Sequence, residues 1–439
     1  MARESTKSIK SNTWYMNVFE AALKRIDFVF KEFDNVYVSF SGGKDSGVLL
    51  NLCLYYMKEH KLNKKLRVFH MDYECQYSMT TDYVQKVFKE NSNLLEIYHC
   101  CVPFKVTTCT SMYQSYWRPW EEGKKDIWVR EMPKNTLQYK DFSFFKSNLW
   151  DYDFQELFGM WLSEKVKAKN TCCLVGIRTQ ESLNRWRAIY SDRNYKNYNN
   201  IQWTKKYDNG IVNAYPIFDW QTQDIWVANA KMNWSYNKLY DLYYMAGLDI
   251  EQMRVASPFI SEGQETLRLY KVIEPDLWGR MIGRVNGVNF TSIYGGTTTM
   301  GWKNIKLPKG HTWESFMYFL LKTLPKETRE NYINKLETSI KFWKEKGGCL
   351  SKETIQKLRE NNINISVEEK TNYKTNKLPV KMNYLDDIDI SEFKELPTYK
   401  RMCICIIKND HLCKYMGFSQ TKNEIIRRKN IMDKYKNLL

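Results

Sequence analysis

No stretch of the 439-residue chain is long and uncharged enough to cross a bilayer, and the mean hydropathy of -0.59 agrees, so no membrane partner is expected. The opening residues, Met1-Ala2-Arg3-Glu4-Ser5-Thr6-Lys7, are polar and lack a following apolar core. No secretory signal is expected from them, and the expected location is cytoplasmic. Among eleven cysteines there is no Cys-x-x-Cys. The usual ligand spacings of zinc and of iron–sulfur clusters are therefore missing, and neither centre is expected. An odd, scattered set of cysteines is unlike a secreted disulfide framework, so reduced thiols are expected. No internal repeat or low-complexity tract is present. The Walker pattern G-x-x-x-x-G-K-[ST] is absent as well, so any phosphate chemistry need not fall on a terminal phosphate.

What is present points to a folded, multidomain chain. A hydrophobic fraction of 43% with 15% aromatics argues against overall disorder, and 439 residues suit two or three domains. The formal net charge of +17 has two readings, an anionic partner or a Lys- and Asn-rich composition spread over solvated faces. Residues 399–439 sharpen the first, with ten Lys/Arg against three Asp/Glu, net +7. Between about 34 and 102 the periodicity alternates strand, helix, strand, helix, strand, which predicts a parallel sheet with right-handed crossovers. Further elements are predicted as a helix over 151–167, a strand over 171–177, and helices over 222–246, 264–285 and 311–346.

One block carries chemistry. Val36, Val38 and Phe40 alternate with Tyr37 and Ser39 as a strand, the chain turns through Ser41-Gly42-Gly43-Lys44-Asp45-Ser46, and an apolar-periodic helix follows over 46–59. The glycines let the backbone curl close to a ligand, and the helix aims its positive end at the same point. Ser41 and Ser46 add hydroxyls and Lys44 a mobile cation. Asp45 would repel an anion unless it caps the helix or helps to hold a metal such as Mg2+.

The segment from Val38 to Ser46 resembles the PP-loop of the ATP pyrophosphatase superfamily. That superfamily includes phosphoadenosine phosphosulfate (PAPS) reductases, ATP sulfurylase small subunits and enzymes that thiolate tRNA or DNA. Three further segments resemble the PAPS reductase branch: His70-Met71-Asp72-Tyr73-Glu74, Gly176-Ile177-Arg178-Thr179-Gln180-Glu181-Ser182 with Arg185, and Tyr215-Pro216-Ile217-Phe218-Asp219-Trp220 with Asp224-Ile225-Trp226. Together they cover roughly 30–260. The run from Arg401 to Asp410, with Met416-Gly417-Phe418-Ser419, is similar to large members with a DUF3440-type C-terminal domain, some of which are paired with a ParB-like protein.

The resemblance implies a doubly wound α/β sheet with a helical C-terminal extension. It divides the chain into a nucleotide-binding domain over 1–260 with an insertion at 103–150, a helical extension over 261–359, a linker over 360–398 and a basic helical unit over 399–439. It implies ATP or PAPS, with Mg2+ on Asp45. Nucleotide contacts are expected from Ser39, Ser41, Gly42, Gly43, Lys44, Asp45, Ser46, Asp72, Gly176 and Arg178, and catalytic roles for Lys44, Asp45, Arg178 and Arg185. A helix after Gly176 would set Arg178 and Arg185 two turns apart, with Glu181 bracing Arg185 and Arg187 close by. Arg254, Arg268, Arg280 and Arg284 either extend an anion groove or form a solvated face. The Glu-Cys-Gly-type tail of PAPS reductases is missing, which leaves Cys403, Cys405 and Cys413 as candidate sulfur-carrying thiols. Three activities stay open: ATP split to AMP and pyrophosphate with adenylation of an acceptor, nucleic acid among the candidates; PAPS reduction through a thiol; and a nucleotide-binding, DNA-associated regulator working with a ParB-like partner.

Overall fold

A computed structural model describes residues 16–181, 183–190, 197–207, 209–249, 253–255, 257–260, 263–294, 305–368 and 377–418. Helix α1 (Val18–Glu32) leads into β1 (Asn35–Ser39), α2 (Lys44–Glu59), β2 (Leu66–Met71), α3 (Ser78–Glu90) and β3 (Leu95–Cys100). The chain then leaves the sheet through an irregular excursion containing the short antiparallel pair β4 (Val106–Thr107) and β5 (Tyr116–Trp117). It returns through α4 (Asp151–Lys165), β6 (Thr171–Val175), α5 (Leu183–Tyr190), β7 (Thr204–Lys206) and β8 (Val212–Ala214). The six-stranded sheet has the order β3-β2-β1-β6-β8-β7 and is parallel except for the β7–β8 pair.

Both faces of this sheet are covered, which is why its strands read as apolar runs. Val36, Val38 and Phe40 pack into a core shared with α1, α2 and α3, while Tyr37 between them enters a second core with Phe154, Leu157 and Phe158 of α4. Cys172 and Leu174 face the first core and Cys173 the second, as the alternation of a strand requires.

Beyond the sheet come α6 (Thr222–Lys231), α7 (Leu239–Met245), α8 (Gln264–Leu267), α9 (Tyr270–Ile273), α10 (Pro275–Arg284) and α11 (Val288–Tyr294). Phe259, Leu267, Tyr270, Trp278 and Met281 belong to the same core as Phe69, Tyr98 and Phe158, so a boundary at 260 does not separate two cores. The remaining described elements are α12 (Trp313–Thr323), α13 (Lys326–Glu345), β9 (Gly348–Leu350), α14 (Lys352–Glu360), β10 (Ile365–Val367), β11 (Leu378–Met382) and α15 (Tyr399–Ile407). The expected linker over 360–398 is a correction: it supplies β10 and β11 of a sheet ordered β10-β11-β9, over a core of Leu350, Leu358, Val380, Met382 and Leu396. The expected separate unit from 399 is another, since Met402, Cys403, Cys405 and Ile406 of α15 are buried with Trp313, Met317 and Leu321 of α12. The basic segment with Arg427, Arg428 and Lys429 lies outside the described residues. No helix among the described residues is long and apolar enough to cross a membrane.

A single buried ion pair ties the sheet to the helices after it. Glu74 is 0% exposed and adopts φ +63°, just past β2. Its carboxylate accepts from Nε and Nη2 of Arg284 at 2.8 and 3.0 Å, and from the backbone N–H groups of Trp120 and Val129 at 2.7 and 3.1 Å. Removing one partner of such a pair leaves the other charged in the interior. Arg284→Met is expected to lower the unfolding free energy by about 3–5 kcal/mol in urea denaturation. An effect below about 1 kcal/mol, the range of exposed pairs, would show that the pair is not buried in solution.

Candidate active site

In the sheet order, β1 has β2 on one side and β6 on the other. The connections leaving the carboxyl ends of β1 and β6 therefore run in opposite directions, and that is where open α/β sheets form a ligand crevice. The turn after β1 is the Ser41–Ser46 block. Gly42 sits at φ +77°, a conformation that glycine adopts without strain. Asn237 donates to the Gly42 carbonyl at 3.1 Å and to Thr80 at 2.9 Å, fixing the turn from outside. Within it, Ser46 Oγ donates to the Gly43 carbonyl at 3.2 Å, and the Ser41 and Ser46 hydroxyls lie 3.0 Å apart. The backbone N–H of Lys44 reaches the Tyr240 hydroxyl at 3.2 Å. The N–H groups of Asp45 and Ser46, in the first turn of α2, meet no acceptor among the described residues.

Gly176, just past β6, brings the second wall into contact. A Cβ there would lie 3.0 Å from the Asp45 carbonyl carbon and from the Ser46 nitrogen. This approach lets Arg178 reach across, its Nε 2.5 Å from Asp45 Oδ1, while Lys44 Nζ sits 3.1 Å from Oδ2. Burial alone would raise the Asp45 carboxyl, but Lys44 and Arg178 outweigh it and hold the group below its ordinary value. Burial pulls the Lys44 ammonium below its ordinary value; Asp45 opposes the shift, while Arg178 and Arg185 add to it. Arg178 also donates to Gln180 Oε1 at 3.2 Å, and that oxygen accepts the Thr222 N–H at 2.9 Å. Glu181 contacts Arg185. Lys44, Arg178, Gln180, Glu181, Thr222, Gln223, Met253 and Arg254 line a cleft of about 170 Å³.

The structure brings Lys44, Asp45, Arg178 and Arg185 together. Arg178 does so from before the short turn Thr179–Glu181, not from a helix shared with Arg185. Ser39 ends β1 and does not line the cleft. Ser182 and the Arg187 side chain lie outside what the structure describes. Gln180 lies within the segment singled out in the sequence without a role of its own, whereas Tyr240, Asn237 and Thr222 carried no sequence signal, because each reaches the site from a distant segment.

Several expectations are corrected. Asp72 is 1% exposed and its carboxylate is taken up by His99 Nε2 at 3.0 Å, by Arg130 and by the Glu74 N–H at 2.9 Å, so it does not reach the cleft. Both oxygens of Asp45 already face cations, so its carboxylate does not fit a Mg2+ ligand. Arg284 is engaged with Glu74, and Arg280 donates to the Val129 carbonyl at 3.2 Å; of the four later arginines only Arg254 lines the cleft. Asp219 holds Arg25 bidentately at 2.8 and 2.9 Å, and Trp220 donates to the Val18 carbonyl at 3.0 Å, so both anchor α1. The candidate thiols Cys403, Cys405 and Cys413 are buried in the core under α12. Burial pushes the Cys403 thiol up to about 12 and Cys405 well above its ordinary value. Arg401, whose guanidinium is bound to the Leu396 and Tyr415 carbonyls, opposes the shift of Cys405 but is outweighed by burial, Cys413 and Asp410.

Two family models match the chain: a phosphoadenosine phosphosulfate reductase domain over residues 35–247 and a domain of unknown function, DUF3440, over 247–427. The chain is 32% identical over 420 residues to the Uncharacterized protein YbdN of Escherichia coli (strain K12), covering 94% of each. Among solved structures it is similar to a PAPS reductase from Candida auris in complex with phosphate, at TM-score 0.30 and 16% identity, covering 50% of this chain and 84% of that one. It is also similar to a Candida glabrata FMN adenylyltransferase, at TM-score 0.31 and 16% identity, covering 51% of this chain and 57% of that one. A third similarity is to the U34-tRNA thiolase NcsA of Methanococcus maripaludis, at TM-score 0.30 and 11% identity, covering 62% and 80%.

Two outcomes follow from this geometry. Gly176→Ala forces the Asp45 backbone away from β6 and is expected to weaken nucleotide binding at least about tenfold in calorimetric titration, by misplacing Lys44 and Arg178. Unchanged affinity would show that the contact at Gly176 does not set the site. Of eleven cysteines only Cys349 is not buried, so a thiol reagent at pH 8 is expected to label no more than one thiol in the native protein and all eleven after denaturation.

Proposed function

The chain belongs to the family that joins a phosphoadenosine phosphosulfate reductase domain to a DUF3440 domain, and from that premise we propose that it is an adenylating enzyme that splits ATP. The observation that carries this reading is the buried grouping of Lys44, Asp45 and Arg178 beside the first turn of α2, at the crevice where the connections from β1 and β6 diverge. An oxygen nucleophile of the acceptor attacks the α-phosphorus, the α–β P–O bond breaks, and its electron pair leaves with pyrophosphate. Charge grows on the phosphoryl oxygens and on the leaving oxygen. Lys44 and Arg178 are cations held in the cleft wall, and the N–H groups of Asp45 and Ser46 meet no acceptor among the described residues, so these donors need little reorganisation as charge develops. Asp45 is a positioning residue: it keeps the buried Lys44 charged and fixes the guanidinium plane of Arg178.

ATP is favoured over PAPS because sulfonyl transfer to the protein requires an accessible thiolate. Cys403, Cys405 and Cys413 are all buried. Nucleic acid is the acceptor class assigned on charge, from the +17 net balance. A DNA-associated regulator with a ParB-like partner rests on the basic C-terminal residues, most of which lie outside the described structure.

The test is a mass-spectrometric product assay with the full-length protein, thiol reductant, Mg2+ in the buffer, and either ATP or PAPS, with and without nucleic acid. AMP and pyrophosphate from ATP are expected, with the rate falling about 10²–10³-fold in Lys44→Met. Adenosine 3′,5′-bisphosphate and sulfite from PAPS would replace the reading with a reductase. Tight binding of ATP without turnover of either nucleotide would replace it with the regulator.

A further inference from the structure

The excursion between β3 and α4 carries a charged surface of its own, apart from the cleft. In the pair β4–β5, Val106 and Trp117 stand opposite each other and are buried. The alternation of a strand therefore turns Lys105, Tyr116 and Arg118 to the other face. Lys105 is fixed against the residues that enter α4. Its N–H donates to the Leu149 carbonyl at 2.8 Å, and its carbonyl accepts from the Asp151 N–H at 3.0 Å, which holds Trp150 beside it.

With Tyr152 these side chains form a half-buried strip. The Arg118 guanidinium lies 5.1 Å from the centre of the Tyr116 ring. Lys105 Nζ lies 4.4 Å from the same centre and 5.9 Å from that of Trp150. Trp150 is stacked on Tyr152, with 6.1 Å between centres and 8° between planes. Lys105 Nζ meets the two rings but no carboxylate and no hydrogen-bond acceptor among the described residues. Arg118 donates to the Ser147 carbonyl at 3.0 Å and stands 4.0 Å from Glu121, which is shared with Lys124 at 3.1 Å. The Arg118 Nε is buried without a partner. Asp151, between Trp150 and Tyr152 in sequence, turns its carboxylate to the Tyr73 hydroxyl at 3.2 Å and the Tyr152 N–H at 2.9 Å.

Parallel rings beside unanswered cations suit an unpaired strand, whose bases stack on the rings while its phosphates meet the cations. A duplex, with its bases already stacked on each other, gains only the charge contacts. Position fits as well. β3 and β6 run parallel to β1 and β2, so the excursion leaving β3 and the start of α4, which leads back to β6, lie at the carboxyl edge of the sheet. That edge holds the cleft.

We propose that Lys105, Tyr116, Arg118, Trp150 and Tyr152 form a binding surface for single-stranded nucleic acid, leading it along the edge of the sheet toward the cleft. This rests on the nucleic-acid acceptor named above, and goes beyond it by assigning the surface and selecting an unpaired strand.

The experiment is fluorescence anisotropy of the full-length protein with a labelled single strand, as RNA and as DNA, with the matching duplex, and with labelled polyglutamate. Wild type is compared with Tyr152→Ala, Tyr152→Phe and Lys105→Gln, each checked for an unchanged melting temperature. Tyr152→Ala is expected to weaken the single strand about 5–50-fold and the duplex less than about twofold. Tyr152→Phe keeps the ring and is expected to stay within about twofold of wild type. Lys105→Gln is expected to lower the slope of log affinity against log salt by about 0.7. Single-strand binding indifferent to Tyr152→Ala and Lys105→Gln, or polyglutamate bound more tightly than the strand, would overturn the surface. If the variants behave as expected but the strand does not raise AMP release from ATP, the surface stands and the nucleic-acid acceptor falls. If wild type binds no single strand, the surface falls whether or not ATP is split.

Discussion

The contact between the end of β6 and the start of α2 governs everything near the cleft. It exists because residue 176 has no side chain, and a Cβ would press on the Asp45 backbone at 3.0 Å. Once the two segments touch, the Asp45 carboxylate stands within reach of Arg178 from one wall and Lys44 from its own helix. Moving three ionised groups out of water costs several kcal/mol each, and the mutual attraction offsets this only if the geometry is held tightly. Asn237 and Tyr240 hold the loop, Gln180 holds Arg178, and the Thr222 N–H in turn fixes Gln180. The turn itself has the glycine conformation and helix terminus of many anion sites. What distinguishes this one is the pair of buried cations held beside it by Asp45.

A few residues away the same chemistry serves a different end. Asp72 and Glu74 also follow a parallel strand at its carboxyl end, the position where ligand-binding carboxylates occur. Here the excursion after β3 folds back and supplies Arg130 and two backbone donors, and α10 supplies Arg284. His70, pulled down to about 4 by burial and the neighbouring His99, is neutral at physiological pH and bonds the Phe40 carbonyl at 2.7 Å, next to the loop. A fully satisfied buried network rigidifies the ends of β1 and β2. It offers no free acceptor to a ribose, so these acids contribute shape rather than recognition.

That contrast explains which parts were legible in the sequence. The alternation of Val36, Val38 and Phe40, and the run from Ser41 to Ser46, are local patterns whose structural consequences are also local, so strand, turn and helix could be read directly. Arg178 and Arg185 were singled out through the resemblance of the segment that begins at Gly176, while the ion pair of Arg178 with Asp45 spans 133 positions and left no local pattern. The role of Asp72 was not readable, because it is set by Arg130, delivered from 58 positions later. The segment 360–398 misled in another way. Its strands β10 and β11 are three and five residues long in polar surroundings, and only Val380 and Met382 enter the core from β11. The period of two is present, in Ile363, Ile365 and Val367 and again in Leu378, Val380 and Met382, but the runs are short and the polar composition of the segment outweighed them. The cysteines of α15 pointed toward chemistry because of their basic neighbours, yet Arg401 spends its guanidinium on backbone carbonyls and the thiols serve as small apolar side chains.

The two matched regions meet at residue 247, but the physical unit does not divide there. Tyr240 and Asn237, which fix the phosphate loop, lie before that point; Met253 and Arg254, which line the cleft, and Val255, which packs on Gly43, lie after it. The apolar core continues across it, with Tyr77 stacked on Tyr270 at 3.6 Å. Arg284 supplies the charge that Glu74 needs in the interior. A nucleotide domain cut at 247 would lose part of one cleft wall and leave Glu74 buried without its guanidinium. The second region is therefore part of the cleft's construction, through Met253 and Arg254 in its wall and Val255 against the phosphate loop.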